Sequence, residues 1–202
     1  MFYNKIEDFK NLHSEKNCFI LSSGPSLKEN DLSLLDRRIT IGLNRSFLAL
    51  PNTYYSCVMD HRLFDLYPEK IKESRYLFTL EDRPFGIPIK LLGSEGFSYD
   101  LTKGLYSGYT ISYFALQLAV YMNFKRIFFL GLDLKNKGEN THFFGFDHRS
   151  ENHENTEYPK MIKSFNAIAV ELKNRGVEIY NCSKISELKC FPYISFEDAM
   201  KY

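Results

Sequence analysis

The chain has 202 residues, enough for one domain with a substantial core and short for two. Its apolar content of 44% and aromatic content of 16% exclude a disordered segment. With 26 basic residues against 25 acidic ones and no basic arm, it lacks the clustered cations that nucleic acid needs, so nucleic acid is not an expected partner.

In chain order, Met1–Lys16 is polar and charged, unlike a signal peptide, and reads as a helical lead-in whose Ile6, Phe9 and Leu12 pack inward. Cys18–Leu21 is an apolar run suited to a strand covered on both faces. It stops at Ser22-Ser23-Gly24-Pro25-Ser26-Leu27, where Gly and Pro impose a turn. Ser26 is placed to cap a short helix through Leu35, with Glu29 completing a capping box. Further strands follow at 39–43, ending at Asn44, at 54–59, ending at Asp60-His61, and at 75–80. The stretch 81–103, with two Pro and three Gly, reads as an irregular surface excursion.

The clearest pattern lies after Ser107-Gly108. Ile111, Phe114, Ala115, Leu118, Ala119 and Met122 repeat at helical spacing, and Lys125-Arg126 suit the negative end of that helix. Ile127–Leu130 is another buried-type strand, followed at once by Gly131-Leu132-Asp133. The polar stretch 135–159, which carries His142, has no apolar period and predicts an irregular, lid-like loop. A second amphipathic helix is expected over 158–175, closed by Gly176, then a strand at 177–180 and a short helix from Ser195. Strands alternating with helices define an α/β domain, a mainly parallel sheet with helices on both faces, spanning 1–202.

In such sheets ligands bind outside the carboxyl ends of the strands. Ser23-Gly24, Asn44, Asp60 and Asp133 all stand at predicted strand ends, and the Ser107-Gly108 turn can pack beside them. Taken singly, Asn44 and Asp60 read equally well as turn formers, Asp133 as a cap and His142 as a surface histidine. Together they define one crevice. The Ser22–Leu27 turn can present backbone N–H groups to a phosphate, yet it is neither G-x-G-x-x-G nor a Walker loop. His142, Asp147, His148 and His153 match no zinc spacing, so no metal site is expected. Cys18, Cys57, Cys182 and Cys190 form no CxxC pair, which fits a reduced, cytoplasmic protein. No run is long enough to span a membrane, although peripheral membrane contact stays open.

FILSSGPSL, DLSLL and ITIGLNRSF, then SGYTISYFALQLAVYMNFKRIFFLGLDL and THFFG, resemble in order the bacterial sialyltransferases of the Campylobacter type. The first two blocks equally resemble the wider MptE-like group, which includes surface-glycan transferases. The resemblance covers most of the chain and implies a Rossmann-like glycosyltransferase of surface-glycan biosynthesis. Its partners would be a nucleotide-activated sugar donor, CMP linked to a nine-carbon acidic sugar, and a glycan acceptor. By that resemblance Ser23, Gly24, Pro25 and Ser26 lie against donor ribose and phosphate, and Asn44 contacts the nucleotide. Ser107 and Gly108 hold the donor carboxylate or base, Asp133 lies at the donor edge, and His142 is the base of an inverting reaction needing no cofactor.

The chain departs from that pattern at Ser23 and Asp60, where asparagine is usual, and at Leu134-Lys135, where the family's phosphate-stabilising tyrosines would stand. Asp60 with Asp133 suits the MptE-like alternative, a hydroxymethylpterin pyrophosphokinase using ATP and Mg²⁺. A noncatalytic nucleotide-binding subunit is the third expectation. The many aromatics leave room for a homo-oligomeric interface.

Overall fold

The computed structural model describes residues 4–135, 141–145 and 151–202, with side chains described outside 151–155. The strands are β1 (Asn17–Leu21), β2 (Thr40–Leu43), β3 (Tyr55–Val58), β4 (Leu77–Leu80), β5 (Ile87–Ile89), β6 (Leu91–Gly93), β7 (Leu105–Tyr106), β8 (Arg126–Leu130) and β9 (Glu178–Asn181). The helices are α1 (Arg62–Leu66), α2 (Pro68–Lys72), α3 (Ile111–Tyr121), α4 (Glu151–Asn174) and α5 (Phe196–Ala199). Seven strands form one sheet in the order β5-β4-β3-β2-β1-β8-β9, and every pairing in it is parallel. The predicted α/β architecture is therefore observed.

The strands are apolar throughout because both faces are covered. Successive side chains alternate between the faces. From β1, Cys18 and Ile20 join the core under α3 and α4, whereas Phe19 and Leu21 join the opposite core with Phe196 and Ala199 of α5. In β8, Ile127 and Phe129 go one way and Phe128 and Leu130 the other. At the edge strand β5 stands Pro88, which cannot donate a ladder bond and so discourages edge pairing.

The chain steps outward from β1 to β5, and α3 then carries it back across to β8 on the far side of β1. The direction of winding reverses between β1 and β8. In open α/β sheets a ligand crevice lies outside the carboxyl ends of the strands at such a reversal.

Several local expectations are corrected. The helix predicted from Ser26 to Leu35 is two separate 3₁₀ turns, Pro25–Glu29 and Leu32–Leu35, and Ser26 caps neither. Asp31 caps the second by accepting from Ser33 N. The lead-in is likewise a 3₁₀ turn, Ile6–Phe9, with Leu12 partly exposed. The helix expected from Tyr158 begins at Glu151, so only part of 135–159 remains outside regular structure among the described residues. Pro159 lies inside this helix. Proline deprives an established helix of one bond, and here the turns before it continue as helix without any apolar stripe to announce them.

The excursion 81–103 contributes β5 and β6, and β6 pairs with β7. It is held down by Gln117 of α3, which is fully buried. The Gln117 carboxamide accepts from Ser98 N (3.0 Å) and Tyr106 N (3.1 Å). It also donates to the carbonyls of Tyr106 (2.7 Å) and Tyr113 (3.1 Å). Such a residue secures an irregular segment, because its own buried amide and the backbone groups it meets on both sides all find partners.

At the amino ends of the strands, His13 stacks on Phe124 with centroids 4.5 Å apart, and its Nε2 lies 2.6 Å from the Tyr55 hydroxyl. Burial, and secondarily the Lys16 ammonium, hold His13 below the ordinary value of 6.5. The unfolded chain thus takes up this proton more readily than the folded one. The His13 contribution is complete above 6.5 and declines as the pH falls through that value towards the lower folded pKa. We predict that the stability difference between the wild type and His13→Gln, from urea midpoints, shrinks as pH is lowered from 7.5 to 5.5. A pH-independent difference would contradict this.

Candidate functional site

The crevice between β1 and β8 opens into a cavity of about 430 Å³. Its floor is made by the two strand exits, which are laced together. Ser22 N donates to Leu130 O (2.8 Å), and Gly24 N donates to Gly131 O (2.8 Å). Gly24 approaches so closely that a Cβ there would lie 2.5 Å from Gly131 O and 2.6 Å from Asp133 Oδ2. Only glycine fits.

Asp133 is 3% exposed and both of its carboxyl oxygens are engaged. Oδ2 accepts from Ser26 N at 2.9 Å, and Oδ1 accepts from the hydroxyls of Ser26 and Ser183. The backbone N–H that a phosphate-binding turn would offer to a ligand is thus already given to this carboxylate. Pro25 and Ser26 stand behind the cavity wall, and Ser23, Gly24 and Asp133 line it. Ser107 and Gly108 also stand back from the lining. Gly108 has φ +51° and lies flat against Tyr113, whose ring a Cβ would meet at 2.3 Å. That turn instead delivers Tyr109, Thr110 and Ser112 to the wall, and Ser112 Oγ pairs with Ser22 Oγ at 2.9 Å.

Asn44 and Asp60 do meet in the cavity. Asn44 Oδ1 accepts from Met59 N (3.2 Å), which fixes its amide and leaves Nδ2 as a donor without a protein partner among the described residues. Asp60 is clasped by Arg62, with Nη2 at 2.6 Å from Oδ2, and also accepts from Arg62 N. Three non-glycine residues on this wall, Asn44, Tyr109 and Leu134, hold left-handed backbone at φ +47°, +64° and +45°. Such conformations cost of the order of 1–3 kcal/mol for a residue like leucine or tyrosine, and they gather where a site imposes them.

His142 lines the cavity from a four-residue turn closed by Gly145 N donating to His142 O (3.0 Å). The turn is pinned from beneath. Phe143 N donates to Ser23 O (2.8 Å), and the Phe143 ring is buried with Leu27 and Leu35. The imidazole stacks on Phe144, centroids 4.9 Å apart, and its Nδ1 lies 2.9 Å from Thr141 Oγ1. Asp147 and His148, and the side chain of His153, lie outside the described residues.

Sequence reasoning missed three contributions. Arg83, from the excursion, reaches the cavity with Nε and Nη2 bonded to Met59 O at 3.1 and 2.7 Å. Tyr109 and Tyr158 add two phenols. Ser183 and Asn181, after β9, brace the β8 exit, with Asn181 Nδ2 donating to Leu132 O at 3.0 Å. No motif marks Arg83, Tyr158, Asn181 or Ser183, which are placed by tertiary packing, whereas Tyr109 follows directly on the Ser107-Gly108 turn.

The carboxylates that a Mg²⁺ site would need do not fit one. Those of Asp133 and Asp60 are committed to serines and to arginine, and among the described residues no three ligating side chains converge. All four cysteines are free, and burial pushes the thiols of Cys182 and Cys190 up to about 12 and about 11. No thiolate nucleophile is at hand near neutral pH. Among the described residues no helix is long and apolar enough to cross a membrane.

In parallel α/β sheets a polar crevice at the switch point is the usual place for a ligand. Neither a protein-family model nor a curated protein sequence matches the chain. Among solved structures it is similar to the sialyltransferase CstII from Campylobacter jejuni in complex with a substrate analogue, cytidine-5′-monophosphate. That match has a TM-score of 0.55 and 16% identity, covering 90% of this chain and 86% of the other. The same enzyme with CMP-3FNeuAc matches with a TM-score of 0.51 and 14% identity, covering 89% and 85%. At these identities the likeness shows a shared, sialyltransferase-like fold.

Gly24→Ala tests the closeness of the two strand exits. The atoms in its way are a backbone carbonyl and a fixed carboxylate. A loss of at least about 2–3 kcal/mol is expected from the urea midpoint at unchanged m-value, towards the upper end for overpacking. An unchanged midpoint would mean that the exits move apart freely.

Proposed function

We propose that the crevice binds a nucleotide-activated sugar, with CMP linked to a nine-carbon acidic sugar as the donor, and transfers the sugar to a glycan hydroxyl. The observation that carries this reading is the position of His142. It stands on the wall of the switch-point crevice, held there through Ser23, in a fold shared with an enzyme solved with CMP and CMP-3FNeuAc.

In this reading His142 Nε2 takes the proton of the acceptor hydroxyl. The freed oxygen attacks the anomeric carbon from the face opposite the phosphate, the carbon–oxygen bond to phosphate breaks, and its electron pair departs with CMP. Configuration inverts and the imidazolium later returns its proton to solvent. Asn44 Nδ2 and the Ser23-Gly24 turn position the nucleotide. Arg62, Arg83 and Lys135, paired with Asp60, Asp82 and Glu187 respectively, line the part of the crevice from which the phosphate departs, with Arg83 oriented by the Met59 carbonyl. Positioning together with proton removal suffices when the leaving group is a nucleotide, so the mechanism needs no metal. Nothing in the site favours the pyrophosphokinase alternative, since Asp60 and Asp133 are engaged as described.

His142→Ala should reduce release of CMP from CMP-NeuAc at least about 100-fold, the usual contribution of a positioned base. CMP affinity should stay within about threefold, since only one contact of many is removed. Turnover retained with CMP binding lost would make His142 a ligand contact and overturn its role as base.

A further inference from the structure

Among the described residues three carboxylates line the crevice, those of Asp60, Asp133 and Glu157. Asp60 holds both of its oxygens against Arg62, and Asp133 holds both against Ser26 and Ser183. Glu157 differs. Its Oε1 accepts from Lys160 Nζ at 2.7 Å, one turn further along α4, and its Oε2 has no protein partner among the described residues. The side chain is only 18% exposed. A half-used carboxylate in such a recess gains from a ligand that donates a hydrogen bond to it.

We propose that Glu157 determines acceptor specificity: its Oε2 accepts from a non-reacting hydroxyl of the hexose unit that receives the sugar, while Tyr109 and Met161 supply apolar surface for the ring. The proposal rests on sugar transfer from a CMP donor. Two observations support it. The first is the side of the crevice on which Glu157 stands. α4 packs on the β8 side of the switch point, with Phe165 against Phe129 of β8 at 6.1 Å between centroids, whereas Asn44, Arg62 and Arg83 stand at the exits of β2, β3 and β4. An inverting displacement needs the attacking hydroxyl opposite the departing phosphate, so a nucleotide held by Asn44 directs the acceptor towards α4. The second is a tie across this wall, since Lys160 Nζ also lies 5.4 Å over the Tyr109 ring. One ammonium thus holds Glu157 of α4 and Tyr109 of the turn before α3, two lining side chains from separate elements, in fixed relation.

Charge points the same way. The donor is anionic at its phosphate and at its sugar carboxylate, and both groups only accept hydrogen bonds. An ionised Glu157 also only accepts, so it serves neither of them, whereas every hydroxyl of a neutral hexose can donate to it. The same carboxylate disfavours an acidic group at that contact, which is discrimination by repulsion as well as by attraction.

Steady-state transfer from CMP-NeuAc to the methyl glycosides of galactose, glucose and N-acetylglucosamine tests this, and at least one of them should serve the wild type as acceptor. Glu157→Ala should raise the KM for that glycoside about 10- to 100-fold, the range for losing a hydrogen bond to a charged group, with the KM for CMP-NeuAc little changed. Glu157→Gln, which keeps an acceptor oxygen, should recover part of the loss. Lys160→Met breaks the same ion pair but leaves the carboxylate, and should raise the acceptor KM less than Glu157→Ala does. Equal losses would mean that Glu157 only anchors α4, and a rise in the KM for CMP-NeuAc alone would place it on the donor. Transfer to none of the three glycosides would remove the hexose. Each of these results overturns the proposal. Release of CMP from CMP-NeuAc in water, with acceptor omitted, separates the two readings. No release by the wild type defeats the transferase itself and the proposal with it, whereas release with an acceptor KM indifferent to Glu157→Ala defeats only the role of Glu157.

Discussion

The site depends on one buried carboxylate. Asp133, at the exit of β8, accepts from the backbone and hydroxyl of Ser26 beyond β1 and from the hydroxyl of Ser183 beyond β9. Three strand exits are thereby drawn to a single point. Removing that carboxylate would leave three buried donors without an acceptor, each costing about 1–3 kcal/mol. The close passage of Gly24 under Asp133 and Gly131 follows from the same bond set. So does the place of the His142 turn, which hangs from the carbonyl of Ser23 one residue earlier.

This arrangement also gives the Ser26 N–H of the Ser22–Leu27 turn to Asp133 and not to the crevice. Besides the Ser23-Gly24 turn, the crevice is walled by side chains. Arg83 and Arg62 reach in from the exits of β4 and β3, and Asn44 from that of β2. The crevice thus has a rigid, internally satisfied floor and a wall of oriented donors. Low reorganisation at the moment of bond cleavage is the expected benefit.

Much of the fold could be read from the residues. Continuous apolar runs such as Cys18–Leu21 and Ile127–Leu130 are strands because a parallel sheet buries both faces, and the stripe from Ile111 to Met122 marks α3. The recurrence of Ser23, Asn44, Asp60 and Asp133 at strand ends located the crevice, and all four line it. What could not be read was the division of labour among them. Asp133 and Ser26 are complementary to each other across 107 positions of sequence, and no local pattern encodes that pairing. The first turns of α4 carry no apolar stripe, so the sequence starts this helix only at Tyr158 and gives no sign that Tyr158 faces the cavity. Arg83 came from a segment with no periodicity, where a carbonyl, Met59 O, holds it in place.

Isothermal calorimetry of the purified chain with CMP and with ATP, each in the presence and absence of Mg²⁺, tests the nucleotide assignment most directly. Binding of CMP without metal, together with weaker or absent binding of ATP, is the predicted result. Binding of ATP only when Mg²⁺ is present, with CMP silent under all conditions, would contradict a CMP-sugar transferase.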